Sequence, residues 1–106
     1  MKVLLDECVP RPFGKQLPDY ECHDGRSAGF GGKKNGELLA SAEAAGFDVL
    51  LTVDQSIPYQ QNLAGKRIAI VILKAVSNRL PDLLPHVPSY LRALRSIRPG
   101  QVLRVG

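Results

Sequence analysis

The pair Asp6-Glu7 and Asp54 each follow directly on a run of apolar residues. Val3-Leu4-Leu5 leads into Asp6-Glu7, and Val49-Leu50-Leu51-Thr52-Val53 leads into Asp54. Such runs read as strands buried on both faces, and in an open parallel sheet ligands bind outside the carboxyl ends of the strands. The two strands are expected to be neighbours, which brings their terminal carboxylates within reach of one ion. Glu37 joins them if its helix starts above the same edge. Carboxylates gathered without a nearby Lys repel one another, and a hard divalent cation with oxygen ligands, Mg²⁺ or Mn²⁺, relieves that repulsion. Each acid also has a plain structural role, since an acid after a strand is commonly a turn or helix-cap residue. Glu37 in a first helical turn is favoured by the helix dipole whatever the function. Only together do they point to a metal.

Other chemistry-bearing residues form no comparable pattern. Gly25 to Gly36 contains five glycines and Lys33-Lys34, but Ser27 stands where a phosphate loop needs its first glycine. The segment reads as a mobile loop carrying two lysines. His23 and His86 have no Ser or Cys partner at a catalytic spacing. Cys8 and Cys22 lack metal-pair spacing and read as small buried hydrophobes in a reducing compartment. Fourteen Lys and Arg against ten Asp and Glu give a net charge of +4. With four acids drawn into one site, the fourteen bases face only six others, so the rim becomes distinctly positive. That suits a phosphate backbone.

The elements that must position these residues alternate between strand-length apolar runs and helical patterns, the mark of an α/β fold with a parallel sheet. At 106 residues the chain makes a single domain, residues 1–106. It is large enough to bury roughly two-thirds of its unfolded surface without disulfides or a structural metal. Strands are expected at Val3–Leu5, Tyr20–His23, Asp48–Val53, Ile68–Leu73 and Val102–Val105. Arg11 to Leu17 allows a short helix. A longer one is expected from Asn35 as N-cap, through Leu38, Leu39, Ala42 and Ala45, to Gly46 as C-cap. Leu84, Val87, Leu91 and Leu94 trace a last helical stripe, kinked by Pro81, Pro85 and Pro88, with Arg92 and Arg95 lying off it. No apolar run approaches the roughly 20 residues of a membrane span, and no secretory leader is expected. The expected location is the cytoplasm.

Leu4-Leu5-Asp6-Glu7, Asn35-Gly36-Glu37-Leu38-Leu39 and Leu51-Thr52-Val53-Asp54-Gln55, in that order and spacing, resemble the PIN-like nuclease fold. The likeness is to its short bacterial branch related to VapC-type toxins. It spans nearly the whole chain and extends to Pro58-Tyr59-Gln60-Gln61-Asn62-Leu63. The resemblance implies a parallel sheet of strand order 3-2-1-4-5 with helices on both faces. It also implies Asp6, Glu37 and Asp54 as ligands of Mg²⁺ or Mn²⁺, and metal-dependent endonucleolytic cleavage of single-stranded RNA. Thr52 would orient a carboxylate or the attacking water, and Glu7 is an additional candidate ligand. Lys33, Lys34, Arg92 and Arg95 are the candidate RNA contacts. Further partners implied are a small antitoxin protein and a second copy of the chain. Ser56 stands where many PIN domains carry a further acid, and Cys8 replaces a common Asn.

Two other functions compete. An inactive PIN-like module would bind RNA or a protein without cutting. A receiver-like domain would accept a phosphoryl group on Asp54, but it needs a Lys after its fifth strand, and here that strand ends at Val105-Gly106. If single-stranded RNA is bound, affinity should fall with salt at a log–log slope of roughly −0.7 per neutralised phosphate. Replacing Lys33 and Lys34 together should flatten that slope in a fluorescence-anisotropy titration. Salt-insensitive binding, or none at low salt, would remove the nucleic-acid reading.

Overall fold

The computed structural model describes residues 1–26, 28–32, 35–55 and 66–106. Five strands, β1 (Lys2–Leu5), β2 (Glu21–Asp24), β3 (Val49–Thr52), β4 (Ala69–Leu73) and β5 (Val102–Val105), form one all-parallel sheet. The β-branched and leucine-rich runs become strands because both their faces are covered. Val3, Leu5, Val49, Leu51, Ala69, Val71 and Leu73 line one layer of core, while Leu4, Leu50, Ile70 and Ile72 line the other. Alternate side chains of a strand point to opposite faces, so each three-residue run supplies both layers.

Helix α1 (Asn35–Ala44) covers the second layer with Leu38, Leu39 and Ala42. The first layer is covered by a 3-10 turn at Arg11–Gln16, which contributes Phe13, and by the segment after β4. That segment starts as α2 (Leu80–Leu83), tightens through a 3-10 turn at Leu84–His86 and runs on as α3 (Val87–Ser96). The α/β architecture with helices on both faces is therefore the one expected. The tight turn shifts the helical phase, so Leu83, Tyr90, Ala93 and Leu94 are buried while Leu84 is exposed. Tyr90 tolerates full burial because its hydroxyl donates to the Lys74 carbonyl at 3.2 Å. None of the helices among the described residues is long and apolar enough to cross a membrane.

Strand order is 2-1-3-4-5, which corrects the expected 3-2-1-4-5. The expected order needs two strands beyond β1, and the chain supplies one. After β2 the backbone folds into turns, with the N–H groups of Ala28 and Phe30 bonded to the carbonyls of Asp24 and Gly25. It then enters α1 and returns to β3 on the opposite side of β1.

The crossovers carry an unusual hand. Those from β2 to β3 and from β4 to β5 move the same way across the sheet, yet α1 and α3 lie on opposite faces. Two parallel crossovers so arranged have opposite hands. The β1 to β2 connection moves the other way on the α3 face, so it shares the hand of the α1 crossover. The β4–β5 crossover therefore differs in hand from these two, so the three cannot all follow the general preference for the right hand.

The α1 end matches the expected cap. Gly46 is at φ +88°, the Phe47 N–H bonds the Ala42 carbonyl and the Gly46 N–H bonds the Glu43 carbonyl, both at 3.0 Å. This is a Schellman closure, and Phe47 seals it by packing beside Ala42 in the core. A methyl group at Gly46 would meet nothing within 4 Å, so its cost is purely that of the left-handed backbone. Gly46→Ala should lower stability by about 1 kcal/mol in urea denaturation, and Gly46→Asn by less.

Candidate functional site

β1 and β3 are adjacent, but the chain leaves β1 towards β2 on one side and returns to β3 on the other. Their carboxyl ends thus flank the point where strand order reverses, where open sheets bind ligands. Period two carries the Leu4 and Leu50 face forward to Asp6 and Thr52, so both side chains leave the sheet on the α1 side.

Thr52 is fully buried, and its hydroxyl organises the edge. It donates to Asp6 Oδ2 at 2.8 Å and accepts the Asp54 N–H at 3.1 Å. The Asp6 N–H bonds the Leu51 carbonyl across the strands at 2.9 Å. β1 ends at Leu5, and a turn closed by the Val9 N–H on the Asp6 carbonyl brings Cys8 back over the acid. Cys8 Sγ lies 3.7 Å from Asp6 Oδ2 and 3.5 Å from Thr52 Oγ1. Burial raises the Cys8 thiol pKa, so at neutral pH it is a protonated donor, and with the Thr52 proton given to Asp6 the S–H is the donor on its side. The Glu7 N–H occupies Asp6 Oδ1 at 2.8 Å. These three donors take three of the four lone-pair positions of the carboxylate and leave one on Oδ1.

The other predicted residues are placed as follows. Glu37 sits in the first turn of α1, whose far end is held at the amino edge by the Lys2 ammonium on the Ala45 carbonyl. A ten-residue helix spans about 15 Å, so its first turn stands at the carboxyl edge, on the same face as Asp6 and Thr52. Neither Glu37 nor Asp54 is without a partner in the structure. Glu7 turns towards the loop before α1, where Oε1 accepts the Gly32 N–H at 2.6 Å. Arg92 and Arg95 lie on α3, which covers the face opposite to α1, and Arg92 bonds the Ser89 hydroxyl at 3.0 Å. They are not brought to the acids. Lys33, Lys34, Ser56 and Pro58 to Leu63 lie outside the described residues.

Three contributors escaped the sequence pattern. Cys8 reads as a hydrophobe until the turn folds it back. Asn78, in the loop after β4, donates to the Cys8 carbonyl at 3.1 Å. Gln55 bridges the ends of β3 and β4, its amide donating to the carbonyls of Val53 and Leu73 at 3.2 and 3.3 Å. Each acts across strands far apart in the chain, so no local spacing announces it.

Among the described residues no three His, Cys, Asp or Glu side chains gather closely enough to hold an ion. The donors that do reach this edge are carboxylates and a hydroxyl. Such hard oxygen ligands suit Mg²⁺, which is usually bound through one or two carboxylates, with water and substrate phosphates completing its shell. No family model, curated protein or solved structure matches this chain.

Replacing Thr52 by the isosteric Val strands the Asp54 N–H and removes a donor from Asp6. Thr52→Val should cost roughly 1–3 kcal/mol in chemical denaturation, the penalty for unpaired polar groups, and Thr52→Ser should recover most of it.

Proposed function

We propose that this protein is a metal-dependent endoribonuclease of the cytoplasm, acting on single-stranded RNA at the edge formed by Asp6, Thr52, Asp54 and Glu37. The observation that carries the proposal is the Thr52 hydroxyl, which joins the Asp6 carboxylate to the Asp54 backbone at the reversal of strand order. A small antitoxin and a second copy of the chain belong to the same proposal as partners.

In this reading Asp6 and Asp54 would hold Mg²⁺ or Mn²⁺, with Glu37 contributing from the helix. The ion supplies an activated water and offsets charge on the phosphoryl oxygens during in-line attack. Thr52 fixes the rotamer of Asp6, and Cys8 adds a second donor to the same oxygen. Thus Asp6 presents its remaining Oδ1 lone pair in one direction without reorganising. Glu7 secures the loop that leads into α1, and so acts on the placement of Glu37.

The strand order is also that of receiver domains, which would favour phosphoryl capture on Asp54. The crossovers weigh against it. Right-handed connections in a 2-1-3-4-5 sheet put the helices after β2, β3 and β4 on one face, whereas α1 and α3 occupy opposite faces here.

Asp6→Asn, Glu37→Gln and Asp54→Asn should each lower Mn²⁺-dependent cleavage of single-stranded RNA by more than about a hundredfold, exceeding the usual effect of residues behind the ligands. Melting without metal should change little. Mg²⁺ or Mn²⁺ should raise the wild-type melting temperature by binding the folded state, with a smaller rise in Asp6→Asn. Labelling of Asp54 by a small phosphodonor would establish the receiver alternative. Wild-type protein that binds RNA and cuts none across several divalent ions would establish the inactive binder.

A further inference from the structure

The amino edge of the sheet, opposite the acids, holds a cleft of about 270 Å³. Its floor is Val49 and Ala69, the first residues of β3 and β4, with Ile97 from the segment leaving α3. Arg67 and Arg98 line the same cleft, together with Asp48. Neither guanidinium makes a hydrogen bond or a close ion pair among the described residues, though the Arg67 charge attracts Glu43 at longer range; the two backbone N–H groups are engaged, by Glu43 Oε2 and Gln101 Oε1. Both acids near Arg67 accept backbone N–H groups on one carboxylate oxygen. Asp48 Oδ2 accepts the Lys2 N–H at 2.8 Å. Glu43 accepts the N–H groups of Arg67 and Ile68 at 2.8 and 3.2 Å, and these bonds hold its pKa below the usual carboxylate value.

Arg98 stands two residues beyond α3, where a cation offsets the negative end of the helix dipole. That accounts for one guanidinium and leaves Arg67 with only a longer-range attraction to Glu43. Two planar, permanently charged donors over an apolar floor match an oxyanion carried on an apolar body. The volume lies just under the range of drug-sized pockets, which restricts the occupant to a small molecule.

We propose that this cleft binds a small organic anion, a phosphate or carboxylate on an aromatic or aliphatic body, with Arg67 and Arg98 taking the oxyanion. The site is separate from the acidic edge and does not depend on the nuclease reading.

The test is titration of the ¹⁵N-labelled full chain with phenyl phosphate and with benzoate, followed by amide shifts. Inorganic phosphate and benzyl alcohol serve as controls lacking the apolar body or the charge. At least one of the two aryl anions should shift Ala69, Ile97 and Arg98 saturably, leaving Asp6 and Thr52 unmoved. The tighter of the two identifies the preferred oxyanion. Binding should be about tenfold or more weaker in Arg67→Gln and in Arg98→Gln, the loss expected for one charged hydrogen bond. Both side chains are exposed, so the variants should retain the wild-type spectrum elsewhere. Three results would each overturn the proposal: no saturable shift with either anion, equal binding of inorganic phosphate, or undiminished affinity in both variants.

Discussion

Burial of the parallel sheet on both faces is the constraint from which the rest follows. Val3 to Leu5, Val49 to Leu51 and Ala69 to Leu73 are each at most 2% exposed, so the interior of the three central strands has no side chain available for polar chemistry. Backbone groups inside such a sheet are paired in the ladder, and an unpaired polar side chain there would be costly. Functional groups are therefore confined to the two edges where strands begin and end. Thr52 is the one buried polar side chain among the described residues, and it stands at that boundary. Its hydroxyl is tolerated because it has partners on both sides, Asp6 and the Asp54 N–H.

That boundary position gives the carboxyl edge its stiffness. Asp6 is held by its own strand, by the neighbouring strand through Thr52 and Leu51, and by the turn that returns Cys8. Asn78 and Gln55 tie in the loop after β4 and the end of β4 itself. A carboxylate restrained in this way loses little freedom when it binds, which is the physical content of preorganisation. Glu7, by contrast, is exposed and holds a turn by one bond, so its contribution is to the approach of α1.

The crossover geometry separates charge as well as helices. Because α3 crosses on the face opposite to α1 and runs from the carboxyl edge to the amino edge, Arg92, Arg95 and Arg98 lead away from Asp6. Arg98 then lines the same cleft as Arg67, which precedes β4, at the far edge. Among the described residues, the arginines of this last helical segment are thus not gathered around the acids. The two ends of the sheet differ chemically, with carboxylates and a hydroxyl at one and two arginines beside Asp48 at the other, and a dry core between them.

The sequence alone determined the strands, because an uninterrupted apolar run flanked by turn residues can be satisfied only by burial on two faces. It determined α1 and its glycine closure for a similar reason, since the helical spacing and the need for positive φ at Gly46 are local properties. It also singled out Asp6, Thr52 and Asp54, residues that must emerge where such strands end. Strand order was beyond its reach. Whether one or two strands lie beyond β1 depends on what the chain pairs with after β2, a matter of pairing partners rather than of local preference. The same holds for the face taken by α3, for Cys8 turning back over Asp6, and for Glu7 reaching Gly32. Each is a contact between segments distant in the chain, and its energy exists only once the sheet has brought them together.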